Sequence, residues 1–147
     1  MATAMTGHHR GLDRALETII ARCECEDHAV VREAWESFEQ ALLRHIEIEE
    51  RDLLPLFARS CPNEAADLSK DHEHIRRELL ELGVALDLHQ LRLEAVRDLA
   101  SRLRAHAARE DLALYPWLEK HLPAEAWQTL GLDLPQLTAN TSPSSRN

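Results

Sequence analysis

Glycine is scarce in this chain, four in 147 residues, and runs of β-branched residues are missing, so a β protein's turns and alternating strands have little to build on. No stretch approaches the roughly eighteen consecutive apolar residues of a membrane-spanning helix. The opening MATAMTGHHR has no apolar run of signal-peptide length either. A cytoplasmic location and no membrane partner are therefore expected. The three cysteines, Cys23, Cys25 and Cys61, are odd in number and contain no CxxC pair, which argues against both a disulfide framework and a thiolate metal motif. Basic clusters are lacking too. Seventeen Lys and Arg stand against 26 Asp and Glu, for a net charge of -9, which disfavours a sequence-independent grip on nucleic acid.

What is plentiful is Leu, Ala, Glu and Arg, a composition that favours helix from about residue 7 to residue 120. Apolar positions recur in steps of three and four: Leu12, Leu16, Ile19 and Cys23; Ala34, Phe38 and Ala41; Leu68, Ile75, Leu79 and Leu82; Val96, Leu99 and Leu103. These are the seams of an all-α protein, an antiparallel up-down four-helix bundle. Its turns are placed at Cys25 to His28, at Cys61-Pro62-Asn63 and near residue 88, where Asp87 and Gln90 are expected to form a capping box opening the fourth helix. After Pro123 a short helix is predicted over Ala124 to Leu130. One domain then occupies residues 1–132, with a disordered tail over 133–147 that is rich in Ser, Thr, Pro and Asn. The six aromatic residues, Tyr115 among them, read as core packing.

Each seam also carries a histidine where Leu or Ile is otherwise found: His9, His45, His72 and His106. On the second and fourth helices a glutamate comes four residues later, Glu49 and Glu110. That spacing stacks both side chains on one helix face. An ionised glutamate on a buried face needs a partner, since removing its charge from water costs several kcal/mol, and a divalent metal is a partner that also suits imidazole. The pattern repeats along the chain. His45, Glu49, Glu50, Leu53 and Pro55 match His106, Glu110, Asp111, Leu114 and Pro116 in spacing, with Leu54 before the first proline and Tyr115 before the second. Depth agrees as well. His9 and His45 lie about 17 and 19 residues from the first turn, roughly 25 to 28 Å along the helix axis, and His72 and His106 lie about 16 and 18 from the third. All four histidines therefore share one layer, with both glutamates a turn below. His8 adjoins His9 and supplies the alternative first-helix ligand if that helix starts one residue differently. His28, His74, His89 and His121 read as ordinary core or surface residues.

At these residues the sequence resembles the hemerythrin-like, or HHE cation-binding, family over about residues 8 to 120, through HxxL, HxxxEE, DHxxIR and HxxxED-xx-LYP. The resemblance implies two irons held terminally by His9, His45, His72 and His106 and bridged by Glu49 and Glu110. Charge balance favours an oxo or hydroxo group as a third bridge. Ligand type alone separates iron poorly from zinc or manganese. The oxygen-carrying branch of the family has a further histidine four residues after the third-helix ligand, where this chain has Arg76. His74 does not replace it, because two residues turn a helix by about 200°. The expected function is that of a non-haem di-iron protein that binds or senses dioxygen or a related small oxidant, peroxide or nitric oxide. A non-catalytic iron-handling or regulatory module and a peroxidase-like enzyme are the alternatives. Arg76 is expected to reach a bridging glutamate or a bound anion, or else to extend into solvent.

Overall fold

The computed structural model describes residues 3–25 and 27–133, and within them every regular element is helical. Helix α1 spans Thr3–Cys25, α2 His28–Ile48, α3 Leu54–Ser60, α4 Pro62–Asp87, α5 Leu93–Arg109, α6 Tyr115–His121 and α7 Ala124–Asp133. Two single π turns, Glu49–Leu53 and Glu110–Leu114, join α2 to α3 and α5 to α6 without breaking the rod. The predicted short helix near the C-terminus is present as α7. The tail predicted for 133–147 lies outside the described residues apart from Asp133. No described helix is long and apolar enough to cross a membrane.

Local chemistry sets the ends. Asp27 adopts an extended conformation and its side chain accepts from the Ala29 N–H, capping α2. Pro62 opens α4 at a position where a backbone N–H would have no partner anyway. The far end of α4 departs from expectation, for no capping box forms at Asp87 and Gln90. His89 takes a left-handed φ of 56°. The Gln90 N–H then bonds to the Ala85 carbonyl at 2.7 Å and the His89 N–H to Leu86 at 3.1 Å. This is a Schellman closure, which consumes Gln90 as the end of α4. Asp87 stays inside the helix, paired with Arg32, and Arg92 caps α5 through its backbone alone.

The π turns answer to the two prolines. In an unbroken α-helix, Pro55 and Pro116 would press on the carbonyls of Arg51 and Leu112 and offer them no hydrogen. Instead the Leu54 N–H reaches the Glu49 carbonyl and the Tyr115 N–H reaches Glu110, each spanning five residues. One extra residue is thereby taken up on either side of the protein, at the same place in the repeat.

Each long helix packs on two others, α1 on α2 and α5, and α4 on α5 and α2. Their apolar residues form two separate clusters. One gathers Leu16, Trp35, Phe38, Leu79, Val96 and Leu99, with their neighbours on the same seams. The other gathers Met5, Ile48, Leu53, Phe57, Tyr115 and Trp127, with their own. On every long helix the predicted histidine falls between residues of the two clusters: between Met5 and Leu12, between Leu42 and Ile48, between Leu68 and Ile75, and between Leu103 and Leu114. A polar layer divides the core.

Candidate metal centre

That layer brings together all six residues expected from the sequence. His45, Glu49, His72, His106 and Glu110 are buried, with Glu49, His72 and Glu110 at zero exposure, and His9 is nearly so. Their donor atoms form two groups, His9, His45, Glu49 and Glu110, and Glu49, His72, His106 and Glu110, each with its donor atoms within 4.8 Å of one another. Both groups contain both glutamates. Glu49 directs Oε1 to His45 Nε2 at 2.9 Å and Oε2 to His72 Nε2 at 3.1 Å. Glu110 Oε1 lies 3.2 Å from His9 Nε2 and 3.1 Å from His106 Nε2, with Oε2 3.7 Å from His72. The Nε2 atoms of His9 and His45 are 3.0 Å apart, as are those of His72 and His106. Among the described residues, His28, His74, His89 and His121 join neither group. His74 pairs with Glu78, His121 with the Trp117 carbonyl, and His28 stacks on His89.

The donor set fits a cation. Glu49 Oε2 and both oxygens of Glu110 are buried without a hydrogen-bond donor, an arrangement that a carboxylate tolerates only beside positive charge. In the metal-free protein protons supply it. Burial would depress the His9 and His72 imidazolium groups, but Asp111 and Glu110 at His9, and Glu110 and Glu49 at His72, outweigh burial and lift each to about 10. His106 is raised by Glu110 and Asp71 in the same way against its own burial. Burial pushes Glu110 up, yet Glu49 and the surrounding imidazoles hold it well below the usual carboxylate range.

A second ring of side chains orients the histidines through Nδ1. His72 Nδ1 lies 3.1 Å from Glu50 Oε1, and Arg76 clamps that carboxylate with two donors at 2.8 and 2.7 Å. His106 Nδ1 faces Asp71 at 3.0 Å, itself held by Arg109 at 2.6 Å. His9 Nδ1 stands 3.3 Å from Asp111, which accepts from Thr6. A carboxylate at Nδ1 keeps the imidazole proton there and frees the Nε2 lone pair for the centre. His45 differs, since its Nδ1 meets His8 Nδ1 at 2.8 Å and the two rings stack. His8 therefore lies behind His45, outside the two donor groups. Arg76 is paired with Glu50, not with Glu49 or Glu110, and does not extend freely into solvent. It acts on His72 through Glu50, because one helical turn carries its long side chain past the buried layer to the half-buried carboxylate.

Tyr115, which the sequence assigns to packing, belongs to the centre. Its hydroxyl donates to Glu49 Oε1 at 2.5 Å and lies 2.9 Å from His9 Nε2 and 3.3 Å from His45 Nε2. In an unbroken α-helix, five residues turn through about 500°, which leaves Tyr115 about 140° away from Glu110. The π turn brings it round. The signal is in the sequence, in the proline directly after Tyr115. Burial, with Glu110 and Glu49, raises its phenol well above the ordinary value.

Toward the first apolar cluster the centre opens onto a chamber of about 60 Å³. His9, His45, Glu49, His106 and Glu110 form one wall and Leu12, Leu16, Leu42, Ile46, Ile75 and Leu103 another. It has room for a diatomic molecule or a few waters. At its rim Arg104 spans from α5 to Asp13 and Glu17 of α1.

No curated protein and no solved structure matches the chain. The family model for the hemerythrin HHE cation binding domain matches residues 1–118. With that match over most of the chain, and with a buried set of histidines and glutamates of the kind that holds a cation, the chain belongs to the hemerythrin HHE cation-binding domain family.

Proposed function

We propose that the chain is a non-haem di-iron protein that binds or senses dioxygen or a related small oxidant, built as an antiparallel up-down four-helix bundle over residues 1–132. His9 and His45 hold one iron, His72 and His106 the other, and Glu49 and Glu110 span the two. The observation that carries this reading is the sharing of both glutamates by two donor groups that otherwise have separate histidine pairs. Two carboxylates facing two ions is the arrangement that leaves each oxygen a cation.

Iron bound there would supply electrons to a small oxidant. The residues of the chain do the rest. Glu50, Asp71 and Asp111 fix the imidazole orientation, and the leucines and isoleucines of the chamber exclude water beside the centre. Arg76 stands where a further histidine would add a ligand, and its commitment to Glu50 leaves two histidines per ion and a position for an exogenous molecule.

The test is metal analysis of protein purified without added metal, with its visible spectrum in air. Two irons per chain with charge-transfer absorption are expected. His45→Ala and Glu110→Ala should lose iron sharply, and His74→Ala and His121→Ala should retain it. Zinc in place of iron, or equal loss from both pairs of variants, would sink the reading. Sustained consumption of peroxide with a reductant would make the chain an enzyme.

A further inference from the structure

The two copies of the repeat that builds the centre differ in chemistry directly before the proline. His45, Glu49 and Pro55 correspond to His106, Glu110 and Pro116, and the residue before the proline is Leu54 in the first copy and Tyr115 in the second. Both come directly after a π turn of the same register. Only the second brings a hydroxyl. As a result Glu49 accepts a hydrogen bond from Tyr115 at 2.5 Å, whereas no hydroxyl donates to Glu110, whose oxygens face imidazoles. The rest of each carboxylate's surroundings is closely matched, an imidazole four residues earlier on its own helix and another from across the layer.

We propose that Tyr115 is a positioning residue that holds Glu49 through its hydroxyl and thereby makes the two spanning carboxylates, and the two metal positions, unlike. This rests on the reading that Glu49 and Glu110 both span two irons. Tyr115 enters from the second apolar cluster and is absent from the chamber wall, so its hydroxyl addresses Glu49 and not a molecule lodged in the chamber. A donor on Glu49 Oε1 withdraws electron density from that carboxylate and weakens it as a metal ligand on the His45 side. The electron-poorer side is the easier to reduce. Uniform chemistry at both glutamates would give two irons that respond together; a hydroxyl at one of them separates the responses.

Tyr115 is the chain's one tyrosine, so 3-fluorotyrosine incorporated biosynthetically alters this position alone. The iron-loaded protein would be compared as parent, as Tyr115→Phe and with fluorotyrosine, by redox titration, by 57Fe Mössbauer spectroscopy and by resonance Raman. Phe keeps the ring and removes the donor, and the midpoint potential should move negative while the two iron signals become more alike. Fluorotyrosine is a stronger donor of the same shape, and the potential should move positive, with iron content at two in all three. That opposite pair of shifts is not expected of a merely structural ring, and the fluorinated protein keeps the test intact if Tyr115→Phe fails to fold. Unchanged potentials and signals would overturn the proposal, as would tyrosine ring modes enhanced in the visible band, which would make the phenol oxygen a ligand. Absence of iron from the parent would instead overturn the di-iron reading beneath it.

Discussion

Arg76 and Glu50 show how a side chain that touches no donor atom of the centre still acts on it. The guanidinium fixes a carboxylate, the carboxylate fixes the His72 proton on Nδ1, and Nε2 is left to the layer. Removing such an outer partner typically costs about 10- to 100-fold in metal affinity. Arg76→Ala should therefore weaken iron binding about tenfold in a chelator competition, with little change for Arg32→Ala, whose partners Glu36 and Asp87 are remote from the layer. Equal affinity in both variants would reduce Arg76 to an ordinary surface pair. Protons are the second residue-scale variable. His9 and His72 titrate near 10 in the metal-free fold against 6.5 for free imidazole. Their raised values stabilise the metal-free protein fully below 6.5, and that contribution fades as pH climbs through about 10. Metal displaces the same protons, so its binding tightens over the same interval. The melting temperature of the metal-free protein should fall with rising pH in this window while the increment from bound metal grows. A metal-free protein that gains stability there would contradict the assignment.

At the scale of the element, the seams are legible in the sequence because an α-helix repeats every 3.6 residues and the six donor residues obey that period within each rod. The π turns break the period, and a uniform α reading carried across Glu49 to Leu53 and Glu110 to Leu114 puts Tyr115 on the wrong face. The Asp87 and Gln90 capping box fails for a related reason. Two helix ends compete for those residues, and the left-handed His89 gives them to α4. A π turn amounts to one residue inserted into an α-helix, so excision should repair it without rotating the helix beyond. Leu112, 81% exposed, is the side chain to spare. Deleting Leu112 should leave iron content near the parent's, because Glu110 and Tyr115 keep their faces, while the melting temperature falls, because Pro116 then presses on the carbonyl of Asp111. Deleting the exposed Ala105 within α5 rotates His106 and the rest of that rod by about 100°, and should abolish iron binding. Similar outcomes for both deletions would mean that the turn does not hold the register.

For the whole molecule the centre is a load on the empty fold and a tie in the filled one. Six polar side chains meet between two apolar clusters, and a metal that binds only the folded state adds about 2.7 kcal/mol at a hundredfold excess over its dissociation constant. For a chain of this size that corresponds to a rise of roughly 5 to 10 °C in melting temperature, to be measured with anaerobic Fe2+ against the metal-free protein. An unchanged melting point at saturating metal would place the binding site elsewhere.

The split core has a further consequence, in time and not in energy alone. Without metal, the amides around Met5, Phe57, Leu114 and Trp127 belong to a small cluster set apart from the larger one by the polar layer, and the end of a bundle with the smaller apolar cluster is the less protected against local opening. Deuterium should enter this end of the metal-free protein well before it enters the amides near Trp35, Leu79 and Leu99. Loading the centre should merge the two exchange rates, so that the protein breathes as one body when it carries metal and as two when it does not.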